Sequence, residues 1–341
     1  MPKIKILVCY HKKAPLFKNE VLVPIYAGKA CAFEPSKDGV LPKEEYKWLC
    51  SHMIGDDTGG EQNNLSRLNR EINEWSVIYW AWKNYEMLGN PDYIGLMHYR
   101  RVLDFRGEIK TGDCDYIDAL GLKEKYLKEI FDKYEFVYHR GARRRDKIHF
   151  SFDCFMHEAK LSDTYHPILF NEYLKYRDGN RFYNSSIFIM KRKDFFNFCT
   201  ECIPLMMDVL NLTKSERMEG FIKWLRNNLD KEKFDWYYKI YKENNDYQPR
   251  HVAFMMEYIS CFYFMHLIDK YKERAFGSKI LVTEPPKFIA LKRHKIIKVI
   301  IKILVSKRKY RKFKRNPKLF FDDSKSNLIR FLGRQYFMIK I

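Results

Sequence analysis

Long apolar runs are missing at both ends of this 341-residue sequence, and their absence argues against a secretory leader and a spanning helix there. The first apolar run, Ile4 to Val8, is too short for a signal peptide and instead predicts a buried strand. In the tail, residues 295–305 form an apolar stretch of about ten residues that is interrupted by lysine, whereas a spanning helix needs roughly 20 largely apolar residues. We therefore expect a cytoplasmic protein.

Cysteines are present, but they lack the spacing of a zinc site. The sequence has eight cysteines, and Cys199 and Cys202 form the only close pair, with no second pair or histidine at zinc-site spacing. This scatter predicts reduced, mostly buried thiols, as expected in the cytosol.

Acidic residues are scarce in one part of the chain. Lysine and arginine number 63 against 43 aspartates and glutamates, a formal charge of +20. From Leu291 to Ile341, 17 basic residues accompany two acids, so +15 of the excess lies in the tail. The remaining 290 residues carry about +5, which is ordinary for a soluble enzyme. No nucleic acid is expected as a partner, because no RNA-recognition motif accompanies the charge.

Within the tail, Lys295, Lys298 and Lys302 fall on one helical face with aliphatic residues around the rest. This spacing predicts an amphipathic helix that lies in a membrane interface. The basic run at residues 307–315 adds attraction to anionic lipid, roughly 1 kcal/mol per basic residue near the surface. Two alternatives stay open: a solvated basic helix packed on the enzyme, and RNA binding.

Apolar strands alternate with helical patterns along the chain. The predicted strands are Ile4–Tyr10, Val21–Tyr26, Tyr93–Met97, Phe136–Tyr138 and Phe182–Met190. The predicted helices are Leu65–Leu88, Asp153–Tyr176 with a break at Pro167, Asp194–Leu210 and Val252–Leu267. This alternation, without internal repeats, predicts an α/β fold, a mixed sheet flanked by helices. We expect one catalytic domain, residues 1–278, and a basic helical tail, residues 279–341.

Polar and aromatic residues concentrate between residues 54 and 101, at the ends of predicted elements. Ile54 to Gly59 is a turn rich in glycine and aspartate, and a buried strand ends in the basic run 98–101. Buried elements need apolar periodicity and their ends need only caps, so this density indicates a site. Ligands of such sheets bind beyond the carboxyl ends of strands, where we expect His11, Asp56 and the basic run. The residue types suit a polyanionic ligand that contains a ring.

Several segments follow one another in a recognisable order: residues 5–12, 24–28, 54–59, 64–74, 79–84, 93–101, 182–185 and 250–257. Together they resemble the motifs of a bacterial capsular and exopolysaccharide biosynthesis family. That family was long catalogued as of unknown function and is now associated with galactofuranosyltransferase-like glycosyltransferases of the GT-A-like fold. The sequence departs from the family pattern at residues 60–63 and after Glu257. The resemblance implies a GT-A-like fold and a nucleotide-sugar donor.

Cleavage of a bond between a sugar and a diphosphate develops negative charge, which preorganised positive groups stabilise. Arg100 and Arg101 offer forked donors for a diphosphate, and two adjacent arginines after a buried strand favour function over plain surface charge. His11 and His98 can bond base, ribose or phosphate, although such histidines are as often structural. The other donor-binding candidates are Asp56, Asp57, Asn64, Ser66, Asn69 and Lys83, with Lys12 as a further cation.

A divalent cation, Mg²⁺ or Mn²⁺, is an open option. Asp56 and Asp57 can hold one, and they equally fit an ordinary aspartate-rich turn. Many GT-A enzymes carry Asp-X-Asp at the end of a central strand, and here the basic run 98–101 takes that place. The resemblance therefore leaves metal dependence undecided.

An inverting transferase needs a carboxylate that deprotonates the acceptor hydroxyl, and Glu257 and Asp153 are the candidates. Glu257 lies on an apolar helix, where an ionised carboxylate is costly unless it is functional or paired, for example with Arg250. Asp153 precedes His157 by one helical turn, and its alternative role is a helix N-cap. We expect His157, Asn184 and Arg250 to contact the acceptor.

The combined prediction is a hexosyltransferase of the inverting type. It would move a sugar, with galactofuranose suggested by the resemblance, from a UDP-sugar to a lipid-linked or growing glycan of capsule, lipooligosaccharide or exopolysaccharide. We expect it on the inner face of the cell membrane as a peripheral protein. The alternatives are a retaining hexosyltransferase of similar fold and a non-enzymatic protein that binds anionic membrane or RNA.

Overall fold

The computed structural model describes residues 2–34, 40–106, 116–140, 142–144, 166–178, 181–183, 186–211, 223, 226, 230–232, 234–235 and 251–282. The chain divides into two compact units. The first comprises Met1–Glu108 and Asp115–Ile280, and the second comprises Ile109–Cys114 and Leu281–Ile341. The predicted amphipathic helix of the tail lies outside the described residues.

The first unit is a mixed α/β fold. Its strands are β1 (Ile4–Tyr10), β2 (Leu22–Tyr26), β3 (Ile54–Gly55), β4 (Tyr93–His98), β5 (Arg101–Asp104), β6 (Phe136–His139), β7 (Ala142–Arg144), β8 (Arg181–Tyr183), β9 (Phe188–Lys191) and β10 (Ala275–Val282). Its helices are α1 (Lys43–His52), α2 (Asn69–Ile72), α3 (Trp75–Lys83), α4 (Tyr116–Ala119), α5 (Glu124–Phe131), α6 (Pro167–Asp178), α7 (Arg192–Asn211) and α8 (His251–Tyr271).

The main sheet has the strand order β3-β2-β1-β4-β5-β10-β6-β9, with an additional pairing of β4 with β9. Strands β1, β2, β3 and β4 run parallel, while β9 runs antiparallel to β4 and β6. A separate two-stranded sheet joins β7 to β8. The chain thus leaves β1 towards β2 and β3 and returns to β4 on the other side of β1.

Burial explains why β1 and β4 form the centre of the sheet. Both are almost continuous apolar runs, as expected of parallel strands covered on both faces. In β4, Gly95 leaves room for its antiparallel neighbour, because a Cβ there would come within 2.7 Å of the Phe188 carbonyl oxygen and the Ile189 side chain. The sequence predicted both strands, and the structure confirms them.

Two predicted elements differ from the structure. The helix expected over Leu65–Leu88 is broken, because Asn73 adopts a positive φ of 49° between α2 and α3. The single strand expected over Phe182–Met190 is two strands in different sheets, β8 and β9. The break at Asn73 is not visible in the apolar pattern, since apolar residues at helical spacing continue from Ile72 to Trp75. The break between β8 and β9 coincides with the polar residues 184–186, which the prediction of one strand passed over.

The described cysteines are free thiols, and most of them are buried, as the sequence predicted. Cys9, Cys31, Cys199, Cys202 and Cys261 are buried free thiols, and Cys50 is an exposed one. Cys114 and Cys154 lie outside the described residues. Among the described helices, none combines the length and apolar character that crossing a bilayer demands.

Candidate functional site

The carboxyl ends of β1, β3 and β4 bring several predicted site residues to one edge of the sheet. His11 directly follows β1, Asp56 directly follows β3, and His98 is the last residue of β4. Arg100 lies in the tight turn that leads into Arg101, the first residue of β5. Because strand order reverses around β1, this edge is where an open α/β sheet forms its ligand crevice.

An aromatic contact joins the ends of β1 and β4. The ring of buried Tyr99 stacks on Tyr10 at 5.2 Å and meets His11 edge-on at 5.4 Å. The Tyr99 hydroxyl lies 3.4 Å from Nε2 of His11. His11 is exposed at this edge of the sheet, and its contact with Tyr99 holds the imidazole in place. The sequence prediction gave Tyr99 no role.

His98 is partly buried beside Cys9, its register partner on β1. Burial lowers the pKa of His98; the carboxylate of Glu74 acts in the opposite direction, and Arg101 and Arg100 lower it further. The imidazole is therefore neutral at pH 7. Burial likewise raises the pKa of the Cys9 thiol, with Glu74 next among the causes. The charge of Glu74 therefore acts on groups at the carboxyl ends of both central strands.

Asp56 is buried, whereas a carboxylate that binds a ligand is expected to be accessible. It is fully buried, and its two oxygens accept four protein hydrogen bonds. Gly28 and Lys29 donate from backbone nitrogen at 2.8 and 3.1 Å, while Ser66 and Ser76 donate from Oγ at 2.5 and 2.6 Å. Burial raises its pKa, against the effect of these four donors. A ligand reaches Asp56 only if this network opens.

Ser66, Asn64 and Asn69 also bond within the protein. Ser66 Oγ accepts from the backbone of Ala30 at 3.0 Å, and its own backbone nitrogen donates to Asn64 Oδ1 at 3.2 Å. Asn69 Nδ2 donates to the Asn73 carbonyl at 2.7 Å and to Ser76 Oγ at 2.9 Å. These residues, expected to bind the donor, hold the loop after β2 and the start of α3 in place.

Asp57 is more accessible than its neighbour. Its Oδ1 lies 3.1 Å from Nζ of Lys29, with a little over a quarter of each side chain exposed. Burial alone would lower the pKa of Lys29, yet the bond to Asp57 raises it above its ordinary value. This ion pair borders the crevice on the β2–β3 side, and Lys29 had no role in the sequence prediction.

Lys83 is the last residue of α3, roughly 13 Å along the helix axis from Glu74. It is exposed, and its ammonium lies 4.0 Å from the ring centre of Trp82. The helix therefore carries Lys83 away from Asp56, which Ser76 binds near the start of α3. Trp80 is fully buried and donates its indole N–H to Thr58, so it belongs to the core.

Glu257 lies on α8, a largely buried helix that contacts α2, and its own side chain is partly buried. The other four predicted site residues lie outside the described residues: Asp153, His157, Asn184 and Arg250. Within the described part of the chain, no group of three or more carboxylate, imidazole and thiol side chains could hold a metal ion.

Glu74 is the residue of this site that sequence reasoning missed. It lies in the family-like segment at residues 64–74, but pattern alone gave it no role. The available signal was an acidic residue at the start of a helix, a position that favours carboxylates for electrostatic reasons in any protein. Only the fold brings its charge near enough to act on His98.

Comparison with solved structures finds the same fold in the apo structure of WbbM, described as a bifunctional glycosyltransferase, with a TM-score of 0.58 and 17% sequence identity. The match covers 84% of this chain and 48% of that one, so the chain spans about half the length of WbbM. No curated protein matches the sequence closely enough to be reported as a relative. A family model matches residues 5–268, and the chain therefore belongs to the family described as a domain of unknown function, DUF4422.

Proposed function

We propose that this protein is a glycosyltransferase that uses a UDP-sugar as donor. One observation carries the proposal: cationic and imidazole groups gather at the carboxyl ends of β1 and β4, where strand order reverses, in a fold shared with a glycosyltransferase. Crevices at such points bind nucleotides in many α/β proteins.

In the proposed reaction, the acceptor oxygen attacks the anomeric carbon while the bond from that carbon to the diphosphate breaks. The electron pair of the broken bond goes to the departing UDP. We propose that Arg100 and Arg101, which follow β4, stabilise this growing charge, because a forked guanidinium suits phosphate oxygens. His11, exposed beside them, supplies a further hydrogen bond to the same group.

The acceptor side of the proposal rests on α8 and on residues beyond the described ones. Glu257 is the proposed base, because its helix contacts α2, the element just before Glu74. Asp153 is the other candidate base, and His157, Asn184 and Arg250 are proposed acceptor contacts. We propose an inverting hexosyl transfer, galactofuranose included, to a lipid-linked surface glycan.

A divalent cation is not assigned a part. The described residues offer no cluster of three ligands for one, and Asp56, an expected ligand, is already occupied by four protein donors. No step of the proposed reaction is therefore routed through a metal.

Purified protein incubated with a panel of sugar nucleotides tests the enzyme proposal, with UDP release as the readout. Arg100→Ala should lower release roughly 100-fold, the usual effect of removing one donor that stabilises developing charge. Lys133→Ala removes an exposed charge just before β6, at the opposite edge of the sheet, and should leave release unchanged.

Three results would each contradict a part of the proposal. Absence of UDP release or transfer across donors and acceptors, from folded protein, would favour a non-enzymatic binder. An equal loss of UDP release in Arg100→Ala and Lys133→Ala would show that Arg100 has no specific role in the reaction. Retention of anomeric configuration in the product would point to a retaining enzyme instead of an inverting one.

We also propose that the basic tail attaches the enzyme to the inner face of the cell membrane, close to a lipid-linked acceptor. Replacing Lys307, Lys309 and Lys312 by glutamine should weaken binding to anionic vesicles by roughly 3 kcal/mol, at about 1 kcal/mol for each charge. UDP release from a soluble assay should be unaffected. Unchanged vesicle binding would refute the membrane role.

A further inference from the structure

Ser186 has a buried hydroxyl group for which the described part of the protein supplies no hydrogen bond. The residue is 3% exposed, and among the described residues its Oγ has neither a donor nor an acceptor partner. By contrast, the buried hydroxyls of Ser66 and Ser76 both donate to Asp56. A buried hydroxyl without a partner costs free energy, and most such groups in folded proteins are bonded to protein, water or a ligand. Ser186 is therefore a candidate for a partner that arrives from outside the chain.

The topology of the sheet places Ser186 at the edge that carries the proposed site. Strand β9 runs antiparallel to β4 and β6, and its first residue, Phe188, pairs with Leu96 and with Tyr138. Strand β4 ends two residues after Leu96, at His98. Because β9 runs the opposite way, the chain enters it from the edge where β4 ends, and Ser186 lies two residues before Phe188. The arginines proposed to bind the diphosphate follow β4 at this same edge.

Helix α8 extends towards this edge as well. The ring of Phe264 lies 5.6 Å from that of Phe136 and 5.4 Å from that of Phe188. The helix ends just before β10, and β10 starts beside Phe136, at the amino end of β6. Glu257, seven residues before Phe264, therefore lies roughly 10 Å farther along α8 towards the carboxyl ends of the parallel strands. The proposed base and the unbonded hydroxyl thus lie towards the same edge of the sheet.

We propose that Ser186 binds the sugar of the donor, through a hydrogen bond between its Oγ and a hydroxyl group of that sugar. This inference rests on the proposed function and adds a residue to its site. A serine hydroxyl is uncharged and both donates and accepts, as a sugar hydroxyl does, whereas forked guanidinium groups suit charged phosphate oxygens better. In the proposed reaction the sugar lies between the diphosphate and the acceptor. A contact to it belongs at the edge that holds both the arginines and the proposed base.

The substitution Ser186→Ala separates a sugar contact from a structural role. The probe is the UDP-sugar that the wild type binds most tightly in a panel, with affinity measured by calorimetry. Its affinity should fall about tenfold in Ser186→Ala, the effect of losing one hydrogen bond of ordinary strength. Affinity for UDP, which lacks the sugar, should stay the same. The urea midpoint of the free protein should not fall, because the substitution removes no hydrogen bond among the described residues.

Ser278→Ala is the matched comparison. Ser278 is 1% exposed and lies on β10, and its Oγ donates to the Asp104 carbonyl at 3.2 Å. Removing this bond should lower the urea midpoint and leave the affinities for UDP and for the UDP-sugar unchanged. The two serine variants are therefore expected to show opposite patterns, one losing affinity for the sugar and the other losing stability.

Equal affinity of the wild type and Ser186→Ala for the UDP-sugar would overturn this inference and leave the proposed function in place. A urea midpoint that falls as far in Ser186→Ala as in Ser278→Ala would also overturn it, since Ser186 would then have a partner within the free protein. So would an equal loss of affinity for UDP, which would place the contact on the nucleotide. If the folded wild type bound no sugar nucleotide at all, the proposed function itself would fail, and this inference with it.

Discussion

Ser66 donates a 2.5 Å hydrogen bond from Oγ to Oδ1 of Asp56, and neither residue is exposed to solvent. Together with the donors from Gly28, Lys29 and Ser76, this bond makes Asp56 the centre of a closed polar network. Opening such a network is costly, because a buried donor that loses its acceptor has no water to bond instead.

Removing the Asp56 carboxylate should therefore destabilise the fold strongly. Asp56→Ala removes the carboxylate that accepts from four donors, of which Ser76 alone has a second acceptor among the described residues, the Asn73 carbonyl. We expect a loss of about 3 kcal/mol or more in the free energy of unfolding. Ser66→Ala should cost about 1.5–3 kcal/mol, the range for a hydrogen bond to a charged group. Urea denaturation monitored by circular dichroism measures both.

Asp57→Asn is the matched comparison for Asp56. Its ion pair with Lys29 is partly exposed, and such pairs contribute roughly 0–1 kcal/mol. If Asp57→Asn lowered the free energy of unfolding as much as Asp56→Ala, the difference in burial would not explain how the two residues contribute to stability.

Stability should fall as pH drops below neutrality, and His98 should account for part of the fall. The folded pKa of His98 lies below its ordinary value of about 6.5, so the unfolded chain takes up a proton at a higher pH than the folded one. The stability contributed by neutral His98 is complete above about pH 6.5 and is lost as pH falls towards the lower, folded pKa.

His98→Gln should thus reduce the difference in unfolding free energy between pH 7.5 and pH 5.5. His266, whose pKa is also lowered by burial, contributes with the same sign, so the difference should shrink without vanishing. Urea titrations of both proteins at the two pH values provide the measurement. A difference that is unchanged by the substitution would contradict the burial of a neutral His98.

Gly95→Ala should destabilise the centre of the sheet by about 1–3 kcal/mol, the usual cost of overpacking. The added Cβ would lie 2.7 Å from the Phe188 backbone oxygen and from the Ile189 side chain. Since one of these neighbours is backbone, rotation of a side chain cannot relieve the contact fully. Thermal unfolding with an unchanged midpoint would show that β4 and β9 can move apart.

The buried carboxylate of Asp194 should stabilise the contact between α7 and α8. Its oxygens lie 2.7 Å from Lys270 Nζ and 2.6 Å from the Tyr271 hydroxyl. Asp194→Ala should cost about 1.5–3 kcal/mol, the range for a hydrogen bond to a charged group, because Lys270 is partly exposed and can be hydrated when its partner is lost. Asp269→Asn, next to Lys270 in sequence but exposed, should cost roughly 0–1 kcal/mol. Chemical denaturation of both variants distinguishes them.

The sequence predicted the strands that form the centre of the sheet, because continuous apolar runs such as Ile4–Tyr10 and Tyr93–Met97 need no tertiary information to be recognised. It also placed His11 and His98 at strand ends, which follows from the strands themselves. The break at Asn73 was not predictable, since it is stabilised by Asn69, whose bond forms only in the fold.

The roles of polar residues were harder to predict than the elements. Asp56 and Asp57 are adjacent and chemically identical, yet the fold buries the first and leaves the second partly exposed. Glu74 is an acidic residue at a helix start, and only in the fold does its charge act on His98, 24 residues later. Sequence spacing alone does not indicate which distant residues come close together in the fold.

The Gly28 turn has a consequence for how any ligand is received. Its amides are satisfied by a carboxylate of the same chain before a ligand arrives, so the loop after β2 keeps its shape in the free protein. Binding then costs little conformational entropy on this side of the crevice. Substitutions at the solvent-facing border, at Lys29 or Asp57, can alter selectivity while the supporting loop stays intact.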